Sequence, residues 1–126
     1  LVGSGEQSFI ELMLRGELEE GNYYTCTPCY RPEDVSGKYS EKMFIKIELI
    51  YYMIAQPEEM VNVAARCFAH IVGGDEHISS VNTKEGIDLF YKNLEIGSYG
   101  VRAYRNHYWT YGTGIAEPRL SRLMGY

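Results

Sequence analysis

The sequence predicts an α+β domain, an antiparallel β-sheet flanked by helices, and three observations predict it. From Met43 to Ile50 the side chains alternate strictly, with Met43, Ile45, Ile47 and Leu49 pointing one way and Phe44, Lys46 and Glu48 the other. From Gln56 to Gly74 the apolar residues recur at helical spacing instead. Strand-like and helix-like segments do not alternate regularly, as the βαβ units of a parallel sheet would. With 126 residues the chain has enough material for one core and too little for separate substrate modules, so a single domain over residues 1–126 is expected.

Each element has its own signal. Ser4-Gly5-Glu6-Gln7 reads as a capping box that starts a short helix, with Phe9, Leu12 and Met13 on its buried face and Gly16 as its stop. Tyr23 to Thr27 is rich in strand formers and runs toward Arg31. Pro32 to Lys42 is a long loop between this strand and the alternating one. Pro57 opens the central helix with Glu58 and Glu59 in its first turn. Its apolar face is Met60, Val63, Ala64, Cys67 and Ile71, and Gly73-Gly74 ends it. A further helix is expected over Thr83–Tyr91, a strand over Leu94–Tyr104, and a strand into a glycine turn over Tyr108–Gly114. Pro118 then starts a last helix with Leu120 and Leu123 inside.

Composition excludes several classes. Hydrophobic residues at 45% and charged residues at 23% are globular values, not those of a disordered or fibrous chain. Twelve Lys and Arg against 17 Asp and Glu give a formal charge of −5, the wrong sign for a domain whose affinity comes from neutralising phosphates, so DNA is not an expected partner. No apolar run approaches the roughly 20 residues that span a bilayer, and no basic region precedes an apolar one at the start, so a cytoplasmic protein with no membrane partner is expected. Cys26-x2-Cys29 with Cys67-x2-His70 has the donor count of a zinc site. Cys26 and Cys29, however, should face opposite sides of one strand, and Cys67 falls on the expected buried face of its helix, so reduced, metal-free cysteines are expected.

Three segments carry candidate chemistry. Arg31 and Glu33, followed on the return strand by Phe44, Lys46 and Glu48, would crowd one sheet face if the strands pair, offering a guanidinium fork for phosphate and an aromatic ring for a purine. Glu95-Ile96-Gly97-Ser98-Tyr99-Gly100-Val101-Arg102 places a carboxylate and an arginine in a strand whose glycines would admit a ligand close to the backbone. Gly112 to Leu120 is a glycine turn into a helix start, where Arg119 would meet an anion. Each alone has a plainer reading, as a solvated face, a bulged edge strand and a tight turn.

In this order the three segments resemble the catalytic core of class II aminoacyl-tRNA synthetases. Tyr30-Arg31-Pro32-Glu33, the loop and Phe44-x-Lys46-x-Glu48 look like the family's second motif. Gly112-x-Gly114-Ile115-Ala116-Glu117-Pro118-Arg119-Leu120 looks like its third. Glu95 to Arg102 is similar to the segment before the third motif in the aspartyl and asparaginyl branch and in ammonia-dependent asparagine synthetase. Ser4 to Phe9 resembles the segment before the second motif. By this resemblance Arg31 would hold the ATP α-phosphate, with Glu33 beside adenine and Phe44 stacked on it. Arg119 would cover the other side of the ring near the γ-phosphate, and Glu95 would bind magnesium. Gln7 would face the amino acid and Arg102 would pair with its side-chain carboxylate or amide, with Lys46, Glu48 and Ser98 also at the substrate end. Lys46 stands where glutamine is usual, Ile10 stands where the aspartyl branch has a lysine, and no counterpart of the first motif or of an anticodon-binding domain is expected within residues 1–126. The function this implies is ATP-dependent activation of a small acidic or amide amino acid as its adenylate. An ammonia-dependent amide ligase and a catalytically inactive paralogue acting as a binding protein are the alternatives, with tRNA and a homodimer left open as partners.

Overall fold

A computed structural model describes residues 4–30 and 43–125, and for Gly114 and Ile115 the backbone alone. In chain order it contains α1 (Glu6–Leu14), β1 (Gly21–Tyr30), β2 (Met43–Tyr52), α2 (Pro57–Val72), β3 (Ile78–Asn82), β4 (Gly86–Tyr91), β5 (Leu94–Tyr104), β6 (His107–Glu117) and α3 (Arg119–Leu123). The six strands form one sheet in the order β1-β2-β6-β5-β4-β3, and each neighbouring pair is antiparallel.

Register assigns the two faces. Glu48, Ile50 and Tyr52 of β2 pair with Thr113, Tyr111 and Trp109 of β6, and Trp109 pairs in turn with Arg102 of β5, so these side chains share one face. Leu49, Tyr51, Thr110, Gly112 and Tyr99 belong to the other. On the first face α1 delivers Phe9 and Met13, one turn apart, onto Ile50, Tyr52 and Trp109. The Phe9 ring meets those of Trp109 and Tyr52 edge-on, at 5.3 and 5.8 Å between centroids. On the second face α2 packs Met60, Val61, Ala64 and Phe68 against Leu89, Ile96 and Tyr99, and Leu120 and Leu123 of α3 join this core. Fully burying each large side chain contributes about 1.5–3 kcal/mol, so both faces of the central strands are committed to core along part of their length.

Several expectations are corrected. Gly5, not Ser4, is the N-cap of α1, and Leu12 is exposed. Thr83–Tyr91 is not a helix: Thr83 and Gly86 form the turn of a β3–β4 hairpin, closed by Thr83 N–H to Gly86 C=O at 2.7 Å. The α2 boundaries are as expected, with Pro57 in the first turn and Gly73 in the left-handed C-cap. Its buried stripe is rotated, however, leaving Cys67 exposed in favour of Phe68. The Gly112–Gly114 turn is instead the interior of β6, where the register skips Gly114. Met43 and Ile45, expected in the core, are exposed. Cys26 and Cys29 pair with Ile47 and Phe44, one exposed and one buried, on opposite faces of β1. Among the described residues no helix is long and apolar enough to cross a membrane.

Candidate active site

Beside α1 on the first face a cleft of about 370 Å³ opens, and its lining extends to Leu49, Phe68, Ile96, Leu120 and Leu123 of the second core. Phe44, Lys46 and Glu48 enter it from β2, Glu95, Ser98 and Arg102 from β5, Tyr111 and Thr113 from β6, Arg119 from α3, and Ser4 and Glu6 from the start of α1. Seven of the residues singled out from sequence therefore line one cavity: Phe44, Lys46, Glu48, Glu95, Ser98, Arg102 and Arg119. Arg31 and Glu33 lie outside the described residues. Gln7 is exposed and is not among the lining residues; its neighbour Glu6 reaches the cleft instead.

Two β-bulges aim these side chains. On β5 the register passes from Gly97 opposite Leu89 to Glu95 opposite Phe90, skipping Ile96. Glu95 and Ser98, three apart, therefore share a face, which a regular strand forbids. On β6 the skip at Gly114 likewise brings Ala116 and Thr113 to the face of Lys46 and Glu48.

The glycines of β5 and β6 stand against tyrosine side chains. A Cβ on Gly97 would lie 2.4 Å from the Tyr99 hydroxyl, and one on Gly112 would lie 2.4 Å from the Tyr99 ring. At Gly100 it would meet the Tyr111 hydroxyl at 2.7 Å. They make room for tyrosines of the protein, and Gly97 and Gly112 also line the cleft.

The floor of the cleft is ionic. Glu48, only 7% exposed, receives Gly5 N–H at 3.1 Å and Lys46 Nζ at 2.9 Å. The Ser4 hydroxyl lies 2.8 and 2.9 Å from its two oxygens and shares its proton between them. The Ser4 oxygen also accepts Glu6 N–H at 3.0 Å, so Ser4 joins the helix start to β2 and does not close a capping box. Glu6 Oε1 accepts Arg102 Nη1 at 2.6 Å and Oε2 accepts the Trp109 indole N–H at 3.3 Å. The Arg102 guanidinium sits 4.1 Å from the centre of the Tyr111 ring. Burial alone would lower the Arg102 pKa, but the Glu6 charge and the Tyr111 hydroxyl outweigh it and the net shift is upward.

At the other end Arg119 Nη1 donates to the Glu95 carbonyl at 2.9 Å, tying α3 to the start of β5. Glu117 accepts Ser121 N–H and hydroxyl at 3.2 and 3.0 Å, so the start of α3, a five-residue helix, already faces a carboxylate. Sequence reasoning missed Ser4, Glu6, Tyr111 and Thr113. Ser4 was hidden by a local pattern that explained it as a helix cap.

This frame has relatives among solved structures. The chain aligns over 98% of its length with a crystal structure of pyrrolysyl-tRNA synthetase from Desulfitobacterium hafniense, at a TM-score of 0.67 and 16% identity. A structure of PylSc, a pyrrolysyl-tRNA synthetase of the same organism, aligns over 98% at 0.68 and 15%. The fold is that of a class II aminoacyl-tRNA synthetase catalytic core. The chain spans about half the length of these structures, 48% and 49%. No family model matches the sequence, and no curated protein matches it. The likeness is one of class II architecture, and neither neighbour belongs to the aspartyl or asparaginyl branch by name.

Proposed function

We infer that the cleft binds ATP and a small amino acid and joins them as the aminoacyl-adenylate. The observation that carries this reading is the convergence of Phe44, Glu95 and Arg119 with Lys46, Glu48, Ser98 and Arg102 in one cavity of a class II sheet. Its size suits a small-molecule site. Adenine stacks on Phe44, with Arg119 over the ring and toward the γ-phosphate, Glu33 beside the base and Arg31 on the α-phosphate. The amino acid lies at the α1 end, where the finer assignment to an acid or amide substrate of the aspartyl and asparaginyl kind rests on the Glu95–Arg102 segment.

The substrate's carboxylate oxygen attacks the α-phosphorus in line, the α–β anhydride bond breaks, and pyrophosphate leaves with the electron pair. An amino-acid carboxylate is already ionised near neutral pH, so no general base is required. The protein's task is alignment and neutralisation of charge, which suits arginines fixed on strands and helices. Among the described residues no group of three His, Cys, Asp or Glu is placed to hold a metal. Magnesium carried by the nucleotide would be held by Glu95, a single protein carboxylate of the kind such an ion takes. When bound it would supply further neutralisation of the phosphates. Neither tRNA nor a dimer partner is part of the proposal.

Exchange of labelled pyrophosphate into ATP tests it. Exchange should require magnesium and one amino acid, and Glu95→Gln should lower turnover for every amino acid accepted. No exchange with any proteinogenic amino acid, together with unchanged ATP affinity in Arg31→Ala, would replace the enzyme by a binding protein on the same fold.

A further inference from the structure

We propose that the amino-acid end of the cleft receives an uncharged polar side chain, and that Glu6 is the residue that turns an acidic one away. The proposal rests on the reading of the cleft as an amino-acid site, and goes beyond it by choosing between the acid and the amide.

Arg102 is the cation that a substrate carboxylate would seek, and the protein already supplies its partner in Glu6, at 2.6 Å. That partner is firmly held. The second Glu6 oxygen takes the indole N–H of Trp109, which is itself buried against Phe9, and the Glu6 side chain is only 13% exposed. The other cation of this end, Lys46, is bonded to Glu48, and Glu48 is fixed by Ser4 and Gly5. Each cation here thus has a carboxylate of the chain beside it. The described lining as a whole carries Lys46, Arg102 and Arg119 together with Glu6, Glu48, Glu95 and Glu117, which leaves no excess of positive charge.

A substrate carboxylate reaching Arg102 would approach Glu6 at a comparable distance, and the repulsion offsets the attraction. An amide or hydroxyl meets no such opposition. Arg102 has N–H donors beyond the one given to Glu6, and each Glu6 oxygen has a second lone pair. The ion pair therefore presents a donor and an acceptor side by side, the complement of a group that both accepts and donates. Glu6 acts here as a specificity-determining residue.

The test compares isosteric pairs, asparagine with aspartate and glutamine with glutamate, titrated onto the whole chain with a non-hydrolysable ATP analogue present. Calorimetry measures affinity. Emission of Trp109, the only tryptophan, reports contact with Glu6. At least one amide should bind about tenfold or more tightly than its acid, and Glu6→Gln should close or reverse that ratio. An acid that binds as tightly as its amide, a ratio unchanged by Glu6→Gln, or no binding by any of the four would overturn the proposal. The wild-type ratio needs no variant, so misfolding of Glu6→Gln leaves the decisive comparison standing. Amide preference without pyrophosphate exchange would uphold the specificity and remove adenylate formation.

Discussion

Glu48 is the clearest case of one side chain serving both structure and site. Its carboxylate gathers donors from Ser4, Gly5 and Lys46 where solvent scarcely reaches, and it thereby fixes the start of α1 to the middle of β2. Glu48→Ala would strand the Lys46 charge and release the helix start. The expected loss is about 3 kcal/mol in urea denaturation, well above the 1 kcal/mol typical of an exposed ion pair. Tyr99 makes the opposite point. It is fully buried, and among the described residues its hydroxyl has no hydrogen-bond partner. Burial, with the charge of Cys67 adding to it, pushes this hydroxyl well above its ordinary value of 10.0. Below pH 10 the folded and unfolded chains both keep the proton and stability is unaffected. Above it the unfolded chain releases a proton that the folded chain retains, so stability falls as pH rises. Tyr99→Phe should lose that part of the alkaline slope and gain about 1 kcal/mol at neutral pH, because a hydroxyl buried without a partner is removed. Paired denaturation curves at pH 8 and pH 11 measure both effects.

Strands β5 and β6 owe their shape to glycine and to bulges, and they show what was legible beforehand. The alternation of β2 was plain because Phe44, Lys46 and Glu48 share a face on a regular strand. The grouping of Glu95 with Ser98 and Arg102 was not deducible from period-two alternation, which puts Glu95 on the opposite side from both; the skip at Ile96 restores it. Thr83–Tyr91 was misread because Ile87, Phe90 and Tyr91 also fit helical spacing. Strand is chosen instead by pairing with β3 on one side and β5 on the other, information that lies outside the segment. The α2 stripe was misjudged by one position, Cys67 for Phe68, because both residues suit a core and only the neighbouring sheet selects between them. The role of Gly112 was invisible for the same reason. An added Cβ there would lie 2.4 Å from the Tyr99 ring and 2.5 Å from Met60 Sδ, so Gly112→Ala should push α2 from the sheet. A loss of about 2 kcal/mol is expected from overpacking, read as a lower urea midpoint, and Gly112→Ala combined with Tyr99→Leu should recover part of it.

As a whole the molecule is one antiparallel sheet used on both faces, with α2 and α3 closing a core on the second and α1 closing half of the first. The cleft opens beside α1 on the first face and its lining extends to Leu49, Phe68, Ile96, Leu120 and Leu123 of the second core; the order of its contributing segments along the chain is the order that suggested a class II core from sequence. The architecture agrees with the two pyrrolysyl-tRNA synthetase structures at a level of identity that fixes fold alone. Chemistry therefore rests on the residues of the cleft, and the most direct measurement is a crystal structure of the protein with magnesium and a non-hydrolysable ATP analogue. Adenine should be stacked on Phe44, with the Arg119 guanidinium over the ring and the phosphates running toward Glu95 on the face that carries Lys46 and Glu48. Nucleotide bound on the α2 face, or a cleft left without nucleotide at concentrations that saturate the protein elsewhere, would contradict it.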